Sequence, residues 1–337
     1  MSTTDVTPKT PEATSPSMAS SRRRMGDSVF SALSIGSGLL IFVTLALVAV
    51  FLTTESMPAV MESKEIIGDA SAFSLLETTL PLIFGTILAA ALALAIAIPV
   101  SIGIALFISH YAPRRLASGL GYMIDLLAAV PSVVYGLWGG IWLVPKLEPL
   151  YIFLNSTLGS WPSWPGFVPL VGGKPVVALF AGDPTAPMRN LASAAIVLAV
   201  MILPIITAVA REIFLQTPRL QEEAALALGA TRWETIRTVV LPFGKSGVVA
   251  ASMLGLGRAL GETMAVLMIL APGATFSFHI LEVGMHQSIA ANIASKQAEA
   301  SGTEMSLLIF TGLVLFVLTF IINALARWIV ARSGVKS

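Results

Sequence analysis

The sequence predicts an all-α polytopic membrane protein with six transmembrane helices. Three observations lead there. Of the 337 residues, 55% are hydrophobic and only 12% are charged, about half the charge of a soluble domain. The apolar residues gather in runs long enough to cross a bilayer, which takes about 20 residues of helix. The runs are continuous rather than alternating. That favours helices over barrel strands, because a helix satisfies its backbone hydrogen bonds within its own segment.

Taken in order, residues 1–21 are rich in Ser, Thr and Pro and hold too little aliphatic bulk to fold, so a disordered tail is expected. The first run, Phe30 to Leu52, is too long for a signal-peptide core, and no small-residue cleavage site follows promptly; it reads as an anchor. Val60 to Leu76 is a short acidic outer segment. The second run, Thr78 to Ile108, exceeds the bilayer and must tilt, bend or protrude. An inner loop with Arg114 and Arg115 precedes the third run, Leu120 to Val144. Lys146 to Asn190 is a long outer loop with seven prolines and Trp161 and Trp164. It is either a solvated connection with aromatic residues at the interface or a docking surface for an extracytoplasmic partner. Leu191 to Ala210 is the fourth run and Val248 to Leu270 the fifth. An outer loop, 271–304, leads to the sixth, Met305 to Val330. The expected domain layout is a cytoplasmic tail 1–26, a first helix and outer segment 27–76, a transmembrane domain 77–330 containing the inner loop 211–247, and a second tail 331–337.

Orientation follows from Lys and Arg. With the N-terminus inside, the cytoplasmic face collects Lys9, Arg22, Arg23, Arg24, Arg114, Arg115, Arg211, Arg219, Arg232, Arg237, Lys245, Arg327, Arg332 and Lys336. The outer face collects Lys64, Lys146, Lys174, Arg189 and Lys296. The count is 14 against 5, so both termini are expected inside. A net charge of +1 points to no nucleic-acid partner, and the lack of cysteine excludes disulfides, thiolate metal sites and cysteine nucleophiles.

Two segments carry chemistry. In 211–247, Thr217-Pro218 predicts a helix start and Gly229 its end, with Leu220, Ala224, Ala227 and Leu228 on one face and Arg219 and Glu223 on another. Thr231-Arg232-Trp233-Glu234 is a capping box that opens a second helix, whose apolar face would be Trp233, Ile236 and Val240 and which Leu241-Pro242 would close. The product is a rigid elbow presenting small and apolar residues, suited to insertion into a partner's groove. In the fifth run, Arg258 and Glu262 lie four apart at membrane depth, where a charge costs about 2.5–3.5 kcal/mol on insertion scales. They can pair on one helix face, pinning the helix or lining a transient aqueous path in which Arg258 offers a guanidinium to an anion. Gly257 and Gly261 allow close approach of another helix or a substrate. Asp125, near the inner end of the third run, is expected to snorkel or to pair with Arg114 or Arg115.

Gly244-Lys245-Ser246 imitates the end of a phosphate-binding loop, but position 239 is valine where that motif needs glycine. The chain is therefore expected not to hydrolyse ATP. His279 and His286 lack supporting ligands for a metal, and no catalytic triad or paired carboxylates stand out.

The spacing Glu223-Ala224-Ala225, three residues, Gly229, nine residues, Val239, one residue, Leu241-Pro242 resembles the "EAA" signature of bacterial ABC-importer permeases, with valine where that family usually has isoleucine. Gly257-Arg258-Ala259-Leu260-Gly261-Glu262-Thr263-Met264-Ala265-Val266 and Pro131-Ser132-Val133-Val134-Tyr135-Gly136 resemble stretches of the phosphate-specific transport (Pst) permeases. Met264-Ala265-Val266 fits their C-type better than their A-type subunit. The resemblance covers roughly Thr78 to Val330.

It implies a type I ABC-importer permease architecture in a bacterial plasma membrane, with Glu223, Ala224, Ala225, Gly229, Leu241 and Pro242 in a coupling helix that docks on an ATPase. It implies as partners an A-type permease, two ATPase subunits that bind the ATP and Mg, an extracytoplasmic phosphate-binding protein, inorganic phosphate and membrane lipid. This chain itself would hold no cofactor. Arg258, Glu262, Gly257 and Gly261 would line the translocation path. Alternatives are a permease for sulfate or molybdate, a proton-coupled secondary transporter using Asp125 or Glu262 as relay, and a structural scaffold.

Overall fold

The computed structural model describes residues 25–61, 72–159, 170–171, 174–175 and 179–332. Most of the two tails, residues 62–71 of the acidic segment Val60 to Leu76, and Trp161 and Trp164 lie outside the described residues; the two ends of that segment are helical.

The first helix, α1 (Met25–Met61), follows from its uninterrupted apolar run. Up to Val50 it forms a unit of its own. The large apolar side chains of that unit, among them Phe30, Leu40 and Phe42, are exposed, as expected of a helix whose solvent is lipid.

The remainder is built around α2 (Ala72–Leu106) and α6 (Leu191–Leu215). α2 continues through a π-helical turn, Phe107–Tyr111, so its apolar stretch of 37 residues outruns the bilayer. Ala89, Ala90, Ala93 and Ala97 are fully buried in the main core with Val197, Leu198, Met201 and Ile202 of α6. Alanine at this spacing lets two helices pack closely without a hydrophobic effect to drive them together. Ser101 Oγ donates to the Leu203 carbonyl across the pair at 3.1 Å.

The third predicted span is not one helix. α3 (Arg114–Ala128) and α4 (Ser132–Trp138) meet at a 93° bend. Pro131 causes it: the ring disfavours the helical region for the preceding residue, and the nitrogen has no proton to donate. From α4 the chain passes through a π turn, Gly139–Leu143, into α5 (Val144–Leu158). Lys146, expected in a loop, is therefore helical and sits over the Trp142 ring at 3.8 Å. Two short strands, β1 (Leu170–Val171) and β2 (Lys174–Pro175), pair antiparallel in what remains of the outer loop. Among the described residues, five helices are long and apolar enough to cross a membrane, or six if the bent pair counts as one.

After α6 come α7 (Arg219–Ala227), α8 (Arg232–Thr235), a π segment Ile236–Val240 and α9 (Leu241–Leu260). The stretch Arg232–Leu260 runs as one apolar helical element, so Leu241-Pro242 does not close the helix as expected. In the π turn the Leu241 amide already donates to Ile236, five residues back. Pro242 follows at the start of the next α-helical stretch, where a missing donor does least harm.

The fifth predicted span also breaks. α9 stops at Leu260, and α10 (Met264–Ile269) begins after Gly261, Glu262 and Thr263. The 271–304 connection contains a helix, α11 (Ile289–Lys296), with Ile289, Ala290 and Ala291 buried. Its first amide, Ile289 N–H, donates to Thr86 Oγ on α2 at 3.0 Å. α12 (Thr303–Arg332) is the last described helix.

Candidate functional site

α7 and α8 form the elbow, and its turn is set by backbone chemistry. Gly229 has φ +88°, a conformation open to glycine at little cost. Gly229 N–H donates to Leu226 and Ala230 N–H to Ala225, at 3.0 and 3.1 Å. Those two bonds are a Schellman motif, which absorbs the carbonyls a helix end leaves unpaired. The next helix opens on a complete capping box. Glu234 N–H donates to Thr231 Oγ at 3.3 Å, and Thr231 N–H donates to Glu234 Oε2 at 2.7 Å. The bond from Thr231 N–H, with a second from the Thr231 hydroxyl, holds the Glu234 carboxyl below its ordinary range.

The predicted start is one residue out. α7 begins at Arg219 with Pro218 in the capping position, and the Thr217 hydroxyl is buried without a partner. Thr217 is drawn inward by the end of α6, where its amide bonds Phe214, so its side chain cannot turn towards α7. The predicted apolar face of the second helix divides as well. Ile236 and Val240 are buried with Leu106, Ala210 and Phe214, while Trp233 is 57% exposed. The buried pair anchors the elbow from below and the tryptophan faces outward.

Glu223 and Ala224 are exposed and Ala225 is half-buried. Leu220 and Leu228 expose 79% and 90% of their surface. An apolar ridge left bare outside the membrane marks a surface made to be covered. One contact missed from sequence braces it, and another ties down the helix that leads into it. Glu222 lies 3.6 Å from His110 on the π turn that ends α2. Arg211 reaches 3.7 Å from Asp125 of α3 and 2.7 Å from Glu212. Asp125 thus pairs with Arg211, not with Arg114 or Arg115. Gly121, one turn before Asp125, is where Arg211 crosses α3; a side chain there would collide with the guanidinium. Leu241 and Pro242 lie away from the bend and line a groove of about 520 Å³ with Ile102 and Lys245.

At membrane depth the picture changes. Because α9 ends at Leu260, Arg258 and Glu262 do not share a helix face, and no ion pair joins them among the described residues. Glu262 is buried, and its Oε1 accepts from Ala265 N–H at 3.2 Å, where the amides at the start of α10 need an acceptor. Arg258 turns instead into a cavity of about 900 Å³ lined by Gly257, Asn323 and Arg327 among others. Its Nε is buried without an acceptor. Gly261 is not in that lining, and nothing crowds either Gly257 or Gly261. Close approach falls to the other face of α9. There Gly244 meets Phe214, Gly247 meets Ile213 and Gly255 meets Ile206, with Ala251 and Ala259 buried on the same stripe.

The two stretches resembling Pst permeases touch. A side chain at Gly136 of α4 would come within 2.8 Å of Ala265 Cα in α10. Arg189, at the head of α6, donates to the carbonyls of Leu267 and Met268 at 3.3 and 3.2 Å and so closes the other end of α10. Lys245 lies inside α9, not in a strand-to-helix loop, as a phosphate-binding loop requires. In the 271–304 connection His279 pairs with Glu282 at 3.0 Å, and His286 is buried with Nε2 2.6 Å from the Ser277 carbonyl. Asn323 escaped the sequence reading and Arg327 entered it only as an inner-face charge, although their spacing of four places both on one face of α12.

Comparison with known proteins gives a family. A profile described as binding-protein-dependent transport system inner membrane component matches residues 97–335. The phosphate transport system permease protein PstC 2 of Mycobacterium tuberculosis is 44% identical over 317 residues, 90% of this chain and 91% of the relative. The PstC protein of Mesorhizobium japonicum is 35% identical over 329 residues, 94% of this chain and 93% of the relative. A solved bacterial ABC transporter involved in the import of the acidic polysaccharide alginate aligns over 93% of this chain and 100% of its own, with a TM-score of 0.54 at 16% identity, a likeness of fold.

Proposed function

The chain belongs to the binding-protein-dependent transport inner membrane components and, within them, to the PstC phosphate permeases; from that premise we propose that it forms one half of the membrane passage of an ATP-driven phosphate importer. The observation that carries the reading is the identity of 44% across 90% of the chain, joined to an elbow whose apolar ridge is bare.

In this reading the chain performs no chemistry of its own. The elbow docks on a separate ATPase subunit, which binds ATP and Mg, and an A-type permease completes the passage. A phosphate-binding protein delivers phosphate at the outer face, and both termini lie in the cytoplasm. Nucleotide-driven movement of the ATPase would reach the membrane through the α7–α8 bend. That bend is stiff: its turn is closed by two backbone bonds and a capping box, Glu222 braces it to the end of α2, and Arg211 ties α6, the helix that leads into it, to α3. A handle of this kind transmits displacement instead of absorbing it. Arg258 would meet the anion in passage, its guanidinium offering a planar fork to oxygen.

A proton relay has little to work with. Asp125 is paired with Arg211 on a half-exposed surface, and Glu262 is occupied at the start of α10. The deciding experiment is uptake of inorganic phosphate by proteoliposomes holding the complete complex. Uptake should require enclosed ATP, the ATPase and the binding protein. Uptake that continued without ATP and collapsed with the proton gradient would overturn the reading. Uptake of sulfate or molybdate, in place of phosphate, with the cognate receptor would redirect it.

A further inference from the structure

A second cavity, between the first turns of α2 and α12, belongs neither to the elbow nor to the surroundings of Arg258. It holds about 680 Å³, and α11, which packs against both helices, forms one of its walls. Its depth follows from the apolar runs. Thr78, where the second run starts, lines it, and so does Glu304, one residue before the sixth run starts. The mouth therefore lies at the edge of the lipid core. α11 begins below that edge. Ile289 N–H reaches Thr86, two turns along α2 from Thr78 and so about 11 Å deeper. The helix then climbs past Asn292 to Lys296 at the mouth.

The polar groups there are short of partners. Asn292 is only 5% exposed, and its carboxamide has no hydrogen bond among the described residues; its backbone amide and carbonyl bond Ser288 and Ser295. Gln287, 7% exposed, uses Nε2 in a long 3.4 Å bond to Ser295, and its Oε1 has no partner among the described residues. Buried amides left in this state cost free energy. Thr78, Thr79 and Thr311 donate their protons to carbonyls of their own helices and offer acceptor oxygen only. At the mouth stand one cation, Lys296, and two carboxylates, Glu299 and Glu304, with no ion pair among them. Leu82, Leu307 and Leu308 supply an apolar wall.

We propose that this cavity is a binding site for a zwitterionic phospholipid of the ethanolamine class. The lining selects that ligand, which must carry both charges, donate to many acceptors and bring an apolar part. A primary ammonium has three donors for Glu299, Glu304 and the threonine oxygens, and the lipid phosphate accepts from Lys296 and from the Asn292 amide. The leucine wall meets the start of an acyl chain. A choline headgroup has the positive charge but no N–H to donate. A glycerol headgroup has no cation for the two carboxylates. Free phosphate has no apolar part and would face two carboxylates against one ammonium. The depth agrees, since a headgroup sits at the edge of the hydrocarbon core. The proposal does not depend on the transport reading.

The test uses the full chain purified with its partner subunits in detergent and stripped of loose lipid. Phosphatidylethanolamine, phosphatidylcholine and phosphatidylglycerol with identical acyl chains are titrated in, and bound lipid is counted by native mass spectrometry. The unmodified complex should retain about one ethanolamine lipid per chain, saturably and roughly tenfold more tightly than either of the others. Asn292→Leu, which fills the same space without an amide, should weaken that retention about tenfold. Glu304→Gln lies at the exposed mouth, where it does not threaten folding, and should erase much of the preference for ethanolamine over choline. Both variants are checked for monodispersity and for their partner subunits. Lys296 should resist amine-reactive acylation, read at its own peptide, only when ethanolamine lipid is present. Equal retention of the three headgroups, or an unchanged preference in Glu304→Gln, would overturn the proposal. So would a Lys296 already shielded in the stripped complex, which would place a partner subunit in the cavity. The readout is lipid and not uptake, so failure of ATP-driven phosphate uptake would count against the transport reading alone.

Discussion

The elbow and the break at Gly261 both interrupt a helix, and they do so by opposite means. At the elbow the interruption is self-sufficient. Gly229, Thr231 and Glu234 satisfy the exposed backbone groups with bonds spanning no more than five residues, and what remains unsatisfied is an apolar surface, Leu220 and Leu228. At the membrane break the backbone is also served locally, by Glu262 on the Ala265 amide. What remains unsatisfied there is charge, in Arg258, whose Nε is buried without an acceptor. One region lacks an apolar cover and the other lacks an anion. In the proposed reading, a docking surface and a passage for an anion would differ in that way.

The largest effect is expected from breaking the elbow. Gly229→Pro cannot adopt a positive φ and removes the amide that bonds Leu226. It should abolish ATP-driven uptake and co-purification with the ATPase, while the protein still inserts and retains the A-type subunit. Uptake at the unmodified rate would show that the bend is not the coupling element. Gly229→Ala should cost only about 1 kcal/mol at the turn and leave part of the activity.

Next in size is Arg258. Arg258→Ala should remove most transport, and Arg258→Lys, which keeps the charge but loses the fork, should reduce it about tenfold with the complex intact. Equal rates for arginine and lysine would mean that charge alone matters at this position.

The two faces of α9 give a sharper contrast. Gly247→Leu must displace Ile213 and should destabilise the complex by about 1–3 kcal/mol, lowering its melting temperature. Gly257→Ala meets nothing within 4 Å and should leave stability unchanged. If the two behave alike, the packed and open faces are wrongly assigned.

The elbow was legible because its signals are local. Thr231 and Glu234 form a capping box at fixed spacing, and Gly229 announces a turn that only glycine makes easily. The intramembrane site was half legible. Arg258 stands out in an apolar run, but hydropathy is blind to a helix end, so Arg258 and Glu262 were assigned to one face when Gly261 separates them. Arg327 could be seen only as an inner-face charge, because what gives it meaning is α12 meeting α9 across the fold. Pro131 was in plain view. Its consequence, a 93° bend, was hidden by the apolar residues on both sides, which made the segment look continuous.

The smallest expected effect is a pH dependence that separates two regions outside the membrane. Glu234 is held below its ordinary range by hydrogen bonds from Thr231. The folded elbow therefore binds fewer protons at that carboxyl than the unfolded chain, and its contribution is full above the usual carboxylate range, near 4.5. It is lost as pH falls through the folded value. His286 is held below the ordinary histidine value of 6.5, chiefly by burial. Its Nε2–H donates to the Ser277 carbonyl, so a second proton must go to Nδ1, which is buried with no acceptor. Stability at that site should begin to fall as pH drops below 6.5, while the elbow is still intact. Hydrogen-exchange protection, corrected for intrinsic rates, should therefore decline around residues 275–289 at a higher pH than around Thr231. Glu234→Gln should erase the acid-range loss at the elbow and leave the outer one untouched. Simultaneous loss at both places would show that neither group titrates independently and that one global acid transition governs them.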